Sequence, residues 1–107
     1  FRSAHFMVQP SFESWGFAFC EAAAFGLPVI CLNVGGVPVK DGLTGHALAP
    51  DAGAEVFAKL ISDHINAPKA YQAMRNAARQ DYDTRLNWDD WGKSVQQIFA
   101  KRLSQKP

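Results

Sequence analysis

The chain has 107 residues, 48% hydrophobic and 20% charged, which fits one globular domain or part of one and excludes two independent domains and a disordered or fibrous chain. A net charge of +1 gives no electrostatic basis for binding nucleic acid or an anionic membrane surface. Nothing reads as a signal peptide or as an apolar run of about 18 residues, so the expected location is cytoplasmic, at most peripheral to the inner face of a membrane.

In chain order, His5–Val8 is a short apolar run stopped by Pro10 and Ser11, as in a buried strand that delivers its carboxyl end to a loop. An Ala-rich segment follows, opened by Gly16 and closed by Gly26 and Pro28, and it predicts a helix. Residues 28–33 (PVICLN) predict a second buried strand. Twelve residues, VGGVPVKDGLTG, then form a Gly-rich loop, and residues 46–50 (HALAP) predict a third short strand. The fold class is therefore α/β, with about three short parallel strands of a Rossmann-like sheet joined by crossovers. From Asp51 onward the pattern becomes that of amphipathic helices. Val56, Phe57, Leu60, Ile61 and His64 share one helical face, with Asp51 as the expected N-cap. Pro68 opens a second helix with a stripe of Tyr71, Met74, Ala78 and Tyr82. Asn87 precedes a third, whose Trp88, Trp91, Val95, Ile98 and Phe99 predict packing residues, and the tail KRLSQKP is expected to fray. The chain thus divides into a sheet-and-loop part, 1–50, and a helical part, 51–107. Residues 1–53 carry a net charge of −2 and the rest +3, with Lys and Arg interleaved with Asp as on solvated helix faces. Cys20 and Cys31 have neither metal-site nor disulfide spacing and read as reduced thiols in apolar runs.

Glu21 stands out as the one charged side chain between Phe17 and Ile30. A helix packed between a sheet and a neighbour would half-bury that carboxylate, which then needs a partner, whereas a helix with an open face would present it to solvent. Both readings stay open from periodicity. Glu13 lies just before the helix, on the loop after a parallel strand, where ligands of open α/β sheets bind and where free helix N–H groups favour phosphate. Gly16 permits close backbone approach there, and Glu21 falls roughly 7–8 Å further along the helix. A carboxylate on each side of an anion site suits a nucleotide diphosphate sugar: the carboxylates accept sugar hydroxyls and the amides take the phosphates.

The segment from about residue 4 to residue 50 resembles the donor-binding half of the C-terminal domain of group 1 (family 4) retaining glycosyltransferases of GT-B architecture. The residues that carry the resemblance are Pro10-Ser11, Glu13 and Glu21 with seven residues between them, Glu21-Ala22, Gly26-x-Pro28-Val29-Ile30, Gly35-Gly36-Val37-Pro38 and Asp41-Gly42-x-Thr44-Gly45. The resemblance implies a glycosyltransferase that moves a sugar, with retention, from a nucleotide diphosphate donor to a glycan or lipid-linked acceptor. Glu13 would lie at the reacting centre. Backbone amides of Ser14, Trp15, Gly16 and Phe17 would face sugar and diphosphate, and Glu21 would hold the ribose hydroxyls. No metal and no cofactor beyond the donor are implied, because helix dipole and basic side chains stabilise the leaving diphosphate. This chain departs from the family in three ways: GGVP runs into VKDG about two residues early and without the usual Glu, Ser11 to Glu13 is tighter than the commonest spacing, and the basic pair such enzymes place early in the domain has no counterpart.

With Phe1 rather than Met at its start, the chain is expected to be the latter part of a donor-binding domain whose N-terminal half is its main partner, inactive alone and capable of self-association. Two other readings remain. One is a non-catalytic binding or interaction module derived from this fold. The other is a sugar-nucleotide epimerase or phosphorylase of the same architecture. His5 and His46 read as packing or exposed residues.

Overall fold

A computed structural model describes residues 3–11 and 17–104. Three strands, β1 (Met7–Gln9), β2 (Val29–Leu32) and β3 (Gly45–Leu48), are all parallel and lie side by side in that order. Four helices accompany them: α1 (Phe17–Ala24), α2 (Ala54–Ile65), α3 (Pro68–Thr84) and α4 (Trp88–Ser104). This is the α/β, Rossmann-like arrangement that the sequence predicts.

β2 is the centre because its side chains are apolar on both faces, as a strand covered on both sides requires. Val29 and Cys31 point to one side and join Phe19, Ala22 and Leu27 under α1, with Met7, Val37, Val39 and Ala47 packed around them. Ile30 and Leu32 point to the other and join Phe57 of α2, flanked by Phe6, Val34, Leu48, Leu60 and Ile61. Burial pushes the Cys31 thiol up to about 11, so it behaves as a small core hydrophobe.

Two glycines are required by geometry. Gly26 ends α1 at φ +62°: its N–H donates to the Ala23 carbonyl and the Leu27 N–H to that of Ala22, a Schellman closure. At Gly45, opposite Val29 in the ladder, a Cβ would sit 2.1 Å from the Val29 carbonyl oxygen, so no larger residue fits this strand pairing. α3 locks onto the end of α1, with Arg79 Nη1 donating to the Ala24 carbonyl and Arg75 Nε to that of Gly26.

Several expectations shift. The first strand is Met7–Gln9 rather than 5–8 and is exposed at Val8, because it forms a sheet edge among the described residues. The third strand begins at Gly45. Gly53, not Asp51, is the N-cap of α2, with no side-chain cap, and Val56 turns outward while Phe57 carries the buried contact. The largest correction concerns α4. Asn87 caps it well, its Oδ1 accepting from the Asp90 N–H at 2.8 Å and its Nδ2 donating to the Asp90 carboxylate. Its aromatic face is nevertheless not core: Trp88 is 69% and Trp91 59% exposed, Ile98, Phe99 and Leu103 are exposed too, and no α4 residue is buried. Phe17 of α1 meets Trp88 at the start of that face, with 5.8 Å between ring centres, yet both rings stay exposed. Lys101–Ser104 form the last turn of α4 rather than a frayed tail.

Candidate functional site

Because the strands are parallel, Gln9, Leu32 and Leu48 end at one edge of the sheet, and the segments that follow them gather there. From β1 the chain enters a loop whose start is tied by a Gln9 Nε2 to Ser11 Oγ hydrogen bond of 2.7 Å. Glu13, Ser14, Trp15 and Gly16, four of the six predicted site residues, lie outside the described residues. The other two are in view. Phe17 is the first residue of α1, exposed, with its ring 5.8 Å from that of Trp88. Glu21 lies one turn further on and is exposed. The half-buried reading of Glu21 is therefore wrong: the buried side of α1 is made by Phe19, Ala22 and Ala23. No hydrogen bond or ion pair engages the Glu21 carboxylate among the described residues, so its oxygens are available to accept.

The Gly-rich segment after β2 folds back over the α1 side of the sheet, burying Val37 and Val39 in part before returning to β3. Gly35 and Gly42 turn the chain at φ +61° and +80°. An anchor that sequence reasoning missed holds this segment. Asp81 of α3 is only 5% exposed and accepts two hydrogen bonds of 2.8 Å from Arg85, with Lys40 Nζ at 3.4 Å. Arg85 also donates to the Pro38 carbonyl at 2.9 Å, so one buried carboxylate links helix and loop. The Arg85 hydrogen bonds, helped by Lys40, hold the Asp81 carboxyl below its ordinary value against the cost of burial, and the same bonds raise Arg85. A signal for this was present: Asp81 continues the Met74, Ala78 stripe at helical spacing and has Arg at i+4. Arg85 and Lys40 are thereby committed to Asp81.

His5 is exposed, and its carbonyl accepts the Tyr71 hydroxyl at 2.8 Å. His46 is half-buried on β3, against His64 of α2. Among the described residues no three His, Cys, Asp or Glu side chains cluster as metal ligands, and no helix is long and apolar enough to cross a membrane.

The family model for glycosyl transferases group 1 matches residues 1–81. A D-inositol 3-phosphate glycosyltransferase of Streptomyces griseus subsp. griseus is 33% identical over 97% of this chain and 22% of its own length. A glycogen synthase of Mycobacterium tuberculosis is 34% identical over 94% of this chain and 25% of its own. The structure of a sucrose-phosphate synthase from Thermosynechococcus elongatus superposes with a TM-score of 0.78 at 26% identity, covering 96% of this chain and 26% of that one. The chain thus spans about a quarter of the length of these relatives.

Proposed function

The chain belongs to the group 1 glycosyl transferases, and from that premise we propose that it is the donor-binding portion of an enzyme transferring a sugar, with retention, from a nucleotide diphosphate donor to a glycan or lipid-linked acceptor. The observation that carries this is the family match across residues 1–81, which takes in the β1 loop, α1 and the Gly-rich segment. In this reading the backbone N–H groups of Ser14, Trp15, Gly16 and Phe17, on the chain that leads into α1, meet the diphosphate and its sugar, because free amides at a helix start favour an anion. Glu21, exposed and unengaged among the described residues, accepts the ribose hydroxyls. Glu13 acts next to the transferred sugar. No metal takes part; helix amides and basic side chains of the wider protein stabilise the departing diphosphate.

Donor titration and transfer assays on a full-length parent test this assignment. Glu13→Ala should cut transfer strongly, by about two orders of magnitude if it removes a charge-stabilising group, with donor affinity little changed. Glu21→Ala should mainly weaken donor binding. The 107-residue chain alone should transfer no sugar. Unchanged donor titrations and rates for both variants would reject the site. The exposed apolar row on α4 favours a second reading, an interaction module without catalysis; a stable homodimer in sedimentation with no nucleotide affinity would select it.

A further inference from the structure

One polar contact crosses the apolar face between β3 and α2. His46 Nε2 and His64 Nε2 lie 2.9 Å apart, hydrogen-bonding distance, and two imidazole nitrogens at that separation need one proton between them and tolerate only one. The surroundings fix how it is arranged. On the β3 side, His46 Nδ1 lies 3.9 Å from Asp41 Oδ1, an oxygen that also accepts the Ala47 N–H at 3.0 Å. That carboxylate favours a proton on His46 Nδ1, which makes His46 Nε2 the acceptor and His64 Nε2–H the donor. On the α2 side, His64 Nδ1 is buried with no hydrogen-bond partner among the described residues. The His64 ring is enclosed by Phe6 at 5.4 Å, Tyr71 of α3 at 6.2 Å and His46 at 5.2 Å between ring centres. Tyr71 turns its hydroxyl to the His5 carbonyl, so it offers His64 nothing. The Lys59–Asp63 pair of α2 is exposed and self-contained.

A second proton has two places to go, and neither is good. On His46 Nε2 it would set two N–H groups head to head at 2.9 Å. On His64 Nδ1 it would create a buried cation's donor facing aromatic carbon, with no acceptor.

We propose that His46 and His64 form an acid-opened clasp between β3 and α2, holding one proton between their Nε2 atoms when closed and parting when the pair takes up a second. Opening would free the end of α2, whose Phe57, Leu60 and Ile61 cover Ile30 and Leu32. Burial, then the neighbouring His64, lowers the His46 imidazole from its ordinary 6.5, with Asp41 pulling the other way. The sign follows. Below the ordinary value the unfolded chain binds the proton that the folded chain refuses, so the clasp's stabilisation is complete above about pH 6.5 and is lost as pH falls through the lowered folded value.

Two measurements on the 107-residue chain decide it. In nitrogen-detected imidazole NMR at neutral pH, one Nε2 should be protonated, the other bare, and the two coupled through the hydrogen bond. Two rings titrating independently as ordinary exposed imidazoles would overturn the clasp without any variant having to fold. In urea unfolding, the folded-to-unfolded ratio should fall about tenfold per pH unit below about pH 6.5 through this pair. The double variant His46→Gln/His64→Phe, which keeps a ring against Phe6 and Tyr71, should lack that fall. An identical pH slope in the double variant would also overturn the proposal.

Discussion

Ile30 and Ile98 are the same side chain in opposite settings, 0% and 62% exposed. Ile30 sits in the central strand of a parallel sheet, with α1 and α3 on one face and α2 on the other. Ile98 sits on a capped helix with an apolar stripe of its own, and it stays exposed. Apolar periodicity therefore reports a face that suits burial; whether burial happens depends on a second surface, and the described residues leave the α4 face exposed despite the Phe17–Trp88 ring contact. The structural neighbour matches 96% of this chain within a molecule about four times as long.

If the two regions differ as this implies, equal deletions should have unequal costs. Ile30→Ala removes a side chain enclosed by Leu32, Phe57 and the β1 and β3 neighbours, and should destabilise by about 2–5 kcal/mol. In a chain with so modest a core, that unfolds much of the population at 25 °C. Urea titration followed by circular dichroism measures it, and a cost below about 1 kcal/mol would mean that the sheet is not the stable unit.

Asp81→Asn comes next. It keeps the volume but removes the charge that Arg85 and Lys40 share, leaving the Gly-rich segment less firmly tied to α3. Arg85 and Lys40 are both about half exposed, so water takes over part of their solvation and the cost should sit near 1–2 kcal/mol, below the range for a wholly buried pair. The Asp81 pKa is depressed in the folded chain, so the unfolded chain binds more protons below the ordinary carboxylate value. This stabilisation is present above that value and is lost as pH falls through the folded one. The Asn variant should lack that acid-side loss, which distinguishes the anchor from the histidine pair acting nearer neutrality.

How much was legible follows the same line. The three parallel strands, the Gly26 closure of α1, the proline start of α3 and the start of α4 after Asn87 are local signals of period, φ or chain punctuation, and they read correctly to within two residues or so. Long-range pairings did not. Lys40 with Asp81, and His46 with His64, join residues far apart in sequence, and only the fold shows that they meet. At the site, Phe17 was legible as the start of a helix after a parallel strand. For Glu21 the sequence left exposed and half-buried readings open, because composition between residues 17 and 30 does not say that α1 keeps one side open. Val56 and Asp51 were misplaced by one turn or less, where a helix boundary depends on the loop that enters it.

The smallest effect is expected where the helix is most apolar. Ile98→Ser and Trp91→Ser change side chains that would be among the costliest in a core, yet here each should move stability by no more than about 0.5 kcal/mol, since little apolar surface is lost from contact. Isoleucine, tryptophan and serine have about the same helix propensity, so the small effect should come from lost side-chain contact alone. Solubility should rise as the exposed patch shrinks. A loss above about 2 kcal/mol at Ile98 that depends on protein concentration would show that a second copy already covers the face in solution. The same loss without concentration dependence would place α4 against its own chain, and the contrast between Ile30 and Ile98 would then collapse.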